Sequence, residues 1–167
     1  MLGKLQQQEI EELLGSQLIG RIGCHANNTT YVVPISYAYD GNSIYCHAED
    51  GMKLAIMRKN PQVCFEVDQF RDMANWQSVI AWGTYEEITD KQLRREALKK
   101  LVDRKLPVIS SQLTHLSPQW PFLPNDINEI DGVVFRIHLR EKTGRFENNN
   151  GTKSPGEASF RLSEKAL

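Results

Sequence analysis

The chain has 167 residues, of which 40% are hydrophobic, 8% aromatic and 25% charged, the composition of one globular domain with a core to bury. Twenty Lys and Arg against twenty-one Asp and Glu leave a formal charge of −1, so no global basic field exists to draw in nucleic acid or an anionic membrane. No run approaches the ~18 apolar residues of a membrane span. The first sixteen residues are too rich in Gln and Glu for a signal-peptide core, so a cytoplasmic protein is expected.

Ile10, Leu13 and Leu14 among Gln and Glu predict an amphipathic helix over 5–14, ended by Gly15-Ser16. From Leu18 the period changes, and 18–24, 30–39 and 43–48 read as strands. Asn27-Asn28 and Asp40-Gly41-Asn42 join them as hairpin turns, because Asn, Asp and Gly tolerate positive φ. Residues 52–60 predict a short helix with Arg58 and Lys59 near its C-terminal end, stopped by Pro61. Two more strands follow over 62–68 and 77–88, separated by a loop over 69–75. Thr89 and Gln92 resemble a capping box, and Leu93, Ala97, Leu98, Leu101 and Val102 supply the apolar face of a helix to about Arg104. Pro107, Pro118, Pro121 and Pro124 punctuate a long connection of short helical turns. Val133, Phe135, Ile137 and Leu139 alternate with Arg136, His138 and Arg140 in a half-buried last strand. After Phe146 the composition turns to Asn, Gly, Lys, Ser, Pro and Glu, so the domain is expected over 1–146 and a flexible tail over 147–167. About six antiparallel strands with two or three helices predict an α+β chain, mainly β, around a closed or nearly closed sheet.

The chemistry concentrates between Tyr31 and Val79. Pro34, inside Tyr31-Val32-Val33-Pro34-Ile35-Ser36-Tyr37, donates no ladder hydrogen bond, so it marks a bare edge, a bulge or a place where a ligand lies alongside. Ile44-Tyr45-Cys46-His47-Ala48-Glu49-Asp50-Gly51-Met52-Lys53 runs a strand through a glycine turn into a helix. Helix-start N–H groups bind phosphate and Lys53 adds a charge, although Gly51 also serves as a plain turn glycine and Lys53 as a solvated residue. Ser78, in Asn75-Trp76-Gln77-Ser78-Val79, either completes a phosphate or flavin site or ends a loop. Cys24, Cys46 and Cys64 are odd in number and widely spaced, which predicts reduced thiols. Cys24-His25 and Cys46-His47 do not predict zinc, because adjacent strand residues face opposite ways. Arg136, His138 and Arg140 read as a solvated face. No dinucleotide fingerprint, phosphate loop or nucleophile elbow is present.

Taken in order, Ile19-Gly20-Arg21-Ile22-Gly23, residues 31–40, His47-Ala48-Glu49-Asp50-Gly51-Met52-Lys53, residues 60–67 and residues 78–87 around Trp82-Gly83-Thr84 resemble the FMN-binding split-barrel proteins related to pyridoxamine 5′-phosphate oxidase, in their nitroimidazole-resistance-like branch. The resemblance spans about 9–145. It implies a six-stranded antiparallel split β-barrel of Greek-key type with flanking helices, a homodimer, and one FMN at each edge of the subunit interface. Val33, Pro34, Ile35 and Ser36 would then run beside the isoalloxazine ring, and Cys46 and His47 would follow the ribityl chain and phosphate. Lys53, next to Met52, would bind the phosphate, and Ser78, with Val79 beside it, would meet the flavin. The oxidase has an Arg-Lys pair where this chain has Met52-Lys53, and its C-terminal Trp and Arg substrate residues have no counterpart, so oxidation of pyridoxamine phosphate is not expected.

The expected function is that of an FMN-dependent oxidoreductase passing electrons to a nitroaromatic, a quinone or oxygen, with His47 as the candidate catalytic residue. A module that holds flavin without turnover is one alternative. Haem handling through His25, His47, His115 or His138 is another.

Overall fold

In the computed structural model, residues 1–104 and 130–149 are described; the Pro-punctuated connection and most of the predicted tail lie outside them. The described chain runs β1 (Leu2–Lys4), α1 (Gln7–Ser16), β2 (Ile19–Ala26), β3 (Thr29–Tyr39), β4 (Ser43–Ala48), α2 (Met52–Lys59), β5 (Gln62–Asp72), β6 (Asn75–Glu87), α3 (Lys91–Val102) and β7 (Val133–Glu147). All strand pairs are antiparallel in the order β1-β7-β4-β3-β2-β5-β6, and β6 also pairs with β7. That last pairing closes β2 to β7 into a six-stranded ring and leaves β1 as an addition to the end of β7. The arrangement is the expected α+β, mainly β fold.

Local chemistry sets most of these elements. Asn27 and Asn28 take φ of 49° and 60°, the positive pair a two-residue hairpin needs. Gly41 has φ of 98°, and the Asp40 carboxylate accepts the N–H groups of Asn42 and Ser43. α3 starts one residue later than the predicted box: Asp90, not Thr89, caps it, accepting from the N–H groups of Gln92 and Leu93 at 3.0 and 2.9 Å.

Two expectations needed larger revision. The predicted loop over 69–75 is mostly strand, because β5 and β6 stay paired through Gln69↔Gln77, Phe70↔Trp76 and Asp72↔Asn75, and Asp72 itself caps the tight turn. The exposed Phe70 and Met73 gave no alternating pattern from which to read that arm. β7 runs to Glu147, the first residue of the predicted tail, and pairs there with β1, a strand too short to carry a period of its own.

The main core fills the ring with Ile22, Ile44, Phe65, Val67, Phe135 and Ile137, and α1 inserts Ile10, Leu13 and Leu14 into it. A second core forms outside the ring, where Ala97, Leu98 and Leu101 of α3 cover Ala38, Tyr45 and Val134 of β3, β4 and β7. Burying Leu98 and Leu101 completely contributes about 1.5–3 kcal/mol each, which seats α3 on that side. No helix among the described residues is long and apolar enough to cross a membrane.

Candidate functional site

The site begins where β3 changes partner. Along 29–36 β3 pairs with β2, with Pro34 opposite Arg21 and Ser36 opposite Ile19; at Tyr37, Ala38 and Tyr39 it pairs with β4. Tyr37↔Cys46 is the last rung shared with β4, which goes on through His47 and Ala48 against β7. Beyond that rung the sheet splits, and among the described residues 33–36 have a strand on one side only. Pro34 stands on this bare edge, a position a sheet tolerates for proline. Val33 is half-buried and Ile35 buried, whereas Pro34 and Ser36 face outward, so the edge offers main chain together with those two side chains.

Across the split lies β4. Cys46 is fully buried, and burial pushes its thiol well above the usual range. The predicted ligand-lining role therefore fails for the Cys46 side chain, which the strand's alternation turns into the core. His47 is half-buried, and its Nε2 meets the Asp131 carbonyl at 2.5 Å, the arrangement of an N–H donor. Gly132 follows with φ of 89°, and a Cβ there would come within 2.8 Å of the same nitrogen. His47 thus braces the turn into β7.

α2 starts just past β4. Gly51 precedes it without a capping side chain, so among the described residues no side chain takes the first-turn N–H groups, which suit solvent or an anion. Met52 is exposed and Lys53 half-buried there. Arg58, at the other end of the helix, is held by Asp50 and Glu87 at 2.9 Å each, whereas Lys53 has no ion pair among the described residues.

A second cation reaches this place, and sequence reasoning missed it. Arg104, just past α3, donates from Nη1 to Ser36 Oγ at 2.7 Å and to the Tyr37 carbonyl at 2.6 Å, and from Nε to the Leu101 carbonyl at 2.7 Å. Arg104 thus lies over β3 at residues 36 and 37, where the Tyr37 N–H bonds the Leu18 carbonyl, and its charge and that of Lys53 both oppose the effect of burial on the Cys46 thiol. In the sequence Arg104 is an ordinary basic residue at a helix end, and nothing there points to Ser36.

Ser78 is elsewhere. It lies on the outer face of β6 and donates to Glu66 at 3.2 Å; Glu66 in turn pairs with Arg21 at 2.9 Å, and Arg21 also bonds Asp68. Val79 is fully buried, its side chain directed into the ring, so it too cannot line a surface ligand. The outer face holding Ser78 also exposes Ile19, Val32 and Ile80 and lies away from α3. One chain therefore gathers the edge residues Val33, Pro34, Ile35 and Ser36 with His47, Met52, Lys53 and Arg104, and leaves Ser78 on β6, three strands from β3 and two from β4.

The remaining candidates behave as surface chemistry. Cys24 is buried and His25 exposed, on opposite faces of β2. Arg136 forks onto Glu86 at 2.8 and 3.1 Å and His138 bonds the same carboxylate, which these partners, Arg136 first, pull down to about 2.

A family model described as pyridoxamine 5′-phosphate oxidase matches residues 6–146. The chain belongs to the pyridoxamine 5′-phosphate oxidase family. An uncharacterised protein of Rhizobium meliloti (strain 1021) is 32% identical over 88 residues, which are 53% of this chain and 58% of that one. The chain thus spans little more than half the length of that relative. The crystal structure of a FAD-binding protein from Mesorhizobium loti has 28% identity and a TM-score of 0.66, covering 89% of this chain and 99% of that one. A candidate 5-nitroimidazole antibiotic resistance protein of Bacteroides thetaiotaomicron shares the fold at 19% identity and a TM-score of 0.65, with 87% of each chain covered. The family's antiparallel split-barrel fold is the architecture found here, and the split is where that architecture leaves a strand edge open.

Proposed function

We propose that this chain binds FMN at the split between β3 and β4 and works as a flavin-dependent oxidoreductase on a small acceptor: a nitroaromatic compound, a quinone or oxygen. The observation that carries the reading is the bare β3 edge beside an uncapped helix start, with two cations that have no carboxylate partner among the described residues. That donor set suits a ligand with a planar, acceptor-rich ring at one end and a phosphate at the other. The FAD-binding relative from Mesorhizobium loti makes a flavin the natural choice, and a helix of only eight residues with one lysine in its first turn matches a single phosphate.

Lys53 and the first-turn N–H groups of α2 would hold the phosphate, and the main chain of 33–36 would hold the polar edge of the ring. The bound flavin would supply the electron transfer. Pro34 keeps a second strand from pairing with the edge and so preserves the place. His47 fixes the Asp131–Gly132 turn beside the phosphate position, a binding role in preference to proton transfer.

The reading includes a homodimer with FMN at the interface. Ile19, Val32 and Ile80 expose apolar surface on the face that carries Ser78, and a partner covering it would bring a second Ser78 toward the split of its neighbour. Purified protein should show flavin bands in the blue and near-ultraviolet and release FMN on denaturation. A dominant Soret band, or folded protein that never binds FMN at saturation, would sink the cofactor assignment. Light scattering at micromolar concentration should give a dimer, and a monomer that still holds FMN would contradict an interface site. Consumption of a nitroaromatic or quinone by the reduced protein separates an enzyme from a flavin store.

A further inference from the structure

Among the described residues Arg104 is a cation that bonds Ser36 of the bare β3 edge and that the proposed function leaves without a task. Its acceptors are all neutral, namely the Ser36 hydroxyl and the carbonyls of Tyr37 and Leu101, and no carboxylate lies within ion-pair distance among the described residues. The exposed Arg21 and Arg58 and the half-buried Arg136 each hold a carboxylate. Burial makes the charge of Arg104 harder to keep and lowers its pKa. A guanidinium kept half-buried without a counter-ion is what a site has when the anion comes with the ligand.

The hydrogen bond to Ser36 gives that charge a direction. Arginine only donates, so Nη1 occupies a lone pair of Ser36 Oγ and the hydroxyl proton must point elsewhere. No acceptor among the described residues takes it, and Ser36 lies exposed on the bare edge of β3. The pair therefore presents a polarised O–H, backed by a positive charge, to whatever lies along 33–36.

We infer that Arg104, acting through Ser36, supplies the positive field at the acceptor edge of the ring and favours the ring in its negatively charged state, an inference that rests on the flavin reading above. A flavin that has taken up two electrons and one proton is an anion. A cation beside its acceptor edge then binds the reduced form more tightly than the oxidised form and raises the reduction potential. Arg104 is on this account a positioning residue, separate in task from Lys53 at the phosphate.

The test is the midpoint potential of the FMN-loaded full chain, titrated with dithionite against a reference dye at neutral pH. Arg104→Gln should weaken the reduced flavin roughly tenfold relative to the oxidised one, which for a two-electron couple lowers the potential by about 30 mV. Arg104→Lys, which keeps the charge, should recover most of the shift. Ser36→Ala should move the potential in the same direction, and the double variant no further than the larger single change. If Arg104→Gln and Ser36→Ala both hold FMN at the wild-type potential and only the melting temperature falls, Arg104 is an anchor for α3 and the inference is overturned. Should Arg104→Gln not fold, Ser36→Ala decides alone, because an unchanged potential there removes the relay. The wild type is read first: a chain that binds no FMN overturns the flavin reading itself, and this inference with it.

Discussion

Replacing Lys53 with Ala isolates the phosphate contact. Lys53 sits half-buried in the first turn of α2, no side chain caps that turn, and no acid competes for its ammonium among the described residues. At 4 Å and an effective dielectric constant near 20 the raw attraction to one unit charge is about 4 kcal/mol. Partial exposure and the desolvation of both groups reduce that to the value of a charge-assisted hydrogen bond, about 1.5–3 kcal/mol. The helix-start N–H groups survive the substitution and keep about 0.3–1 kcal/mol of attraction for the phosphate. FMN should therefore bind roughly ten- to hundredfold more weakly to the variant, whereas riboflavin, which lacks the phosphate, should change little. Quenching of flavin fluorescence on titration measures both constants with the same optics. Equal losses for FMN and riboflavin would refute the assignment, since a general loosening of α2 would weaken both, and so would no loss for either.

His47→Ala should lower FMN affinity while leaving reoxidation normal once the site is saturated, because the ring braces Asp131 and Gly132; a stopped-flow defect of about 10²–10⁴-fold at full occupancy would instead make it a general acid. A chain ending at Phe146 should melt lower than one ending at Asn149, since it loses the Trp76 bond to Glu147, the Asn148 N–H bond to Met1 and the Asn149 N–H bond to Asn75, at about 0.5–1.5 kcal/mol each; equal melting temperatures would show that this end of β7 adds nothing. The Glu86 carboxyl, held near 2 against an ordinary value of 4.5, contributes stability that is fully present above the ordinary value and lost as pH falls toward 2. Glu86→Gln should flatten the acid limb of the melting curve across that window by no more than about 1 kcal/mol, because the side chain is 47% exposed; an unaltered limb would show that the pair with Arg136 is screened out.

Much of the local structure was legible from short-range chemistry. The Asn27-Asn28 turn, the Asp40-Gly41-Asn42 turn, the apolar stripe of α1 and the end of α2 before Pro61 each follow from two to ten neighbouring residues, whose φ preferences and side-chain spacing act before any tertiary contact forms. The bare edge at Pro34 was legible for the same reason, since a missing N–H is a property of one residue. Contacts between distant parts of the chain were not. A closed or nearly closed sheet was expected, but that β6 and β7 close it, that β1 pairs with the far end of β7, and that β5 and β6 extend into the 69–75 arm are pairings whose partners carry no mark of each other. Cys46 and Val79 point inward because the closed sheet decides which face of each strand is the core, a choice that alternation alone leaves open by one residue of register. Arg104 meets Ser36 across 68 positions of sequence because the second core seats α3 against β3, β4 and β7. Spacing and propensity report what neighbours do to one another, whereas this guanidinium was brought to Ser36 by the apolar area that α3 buries against β3, β4 and β7.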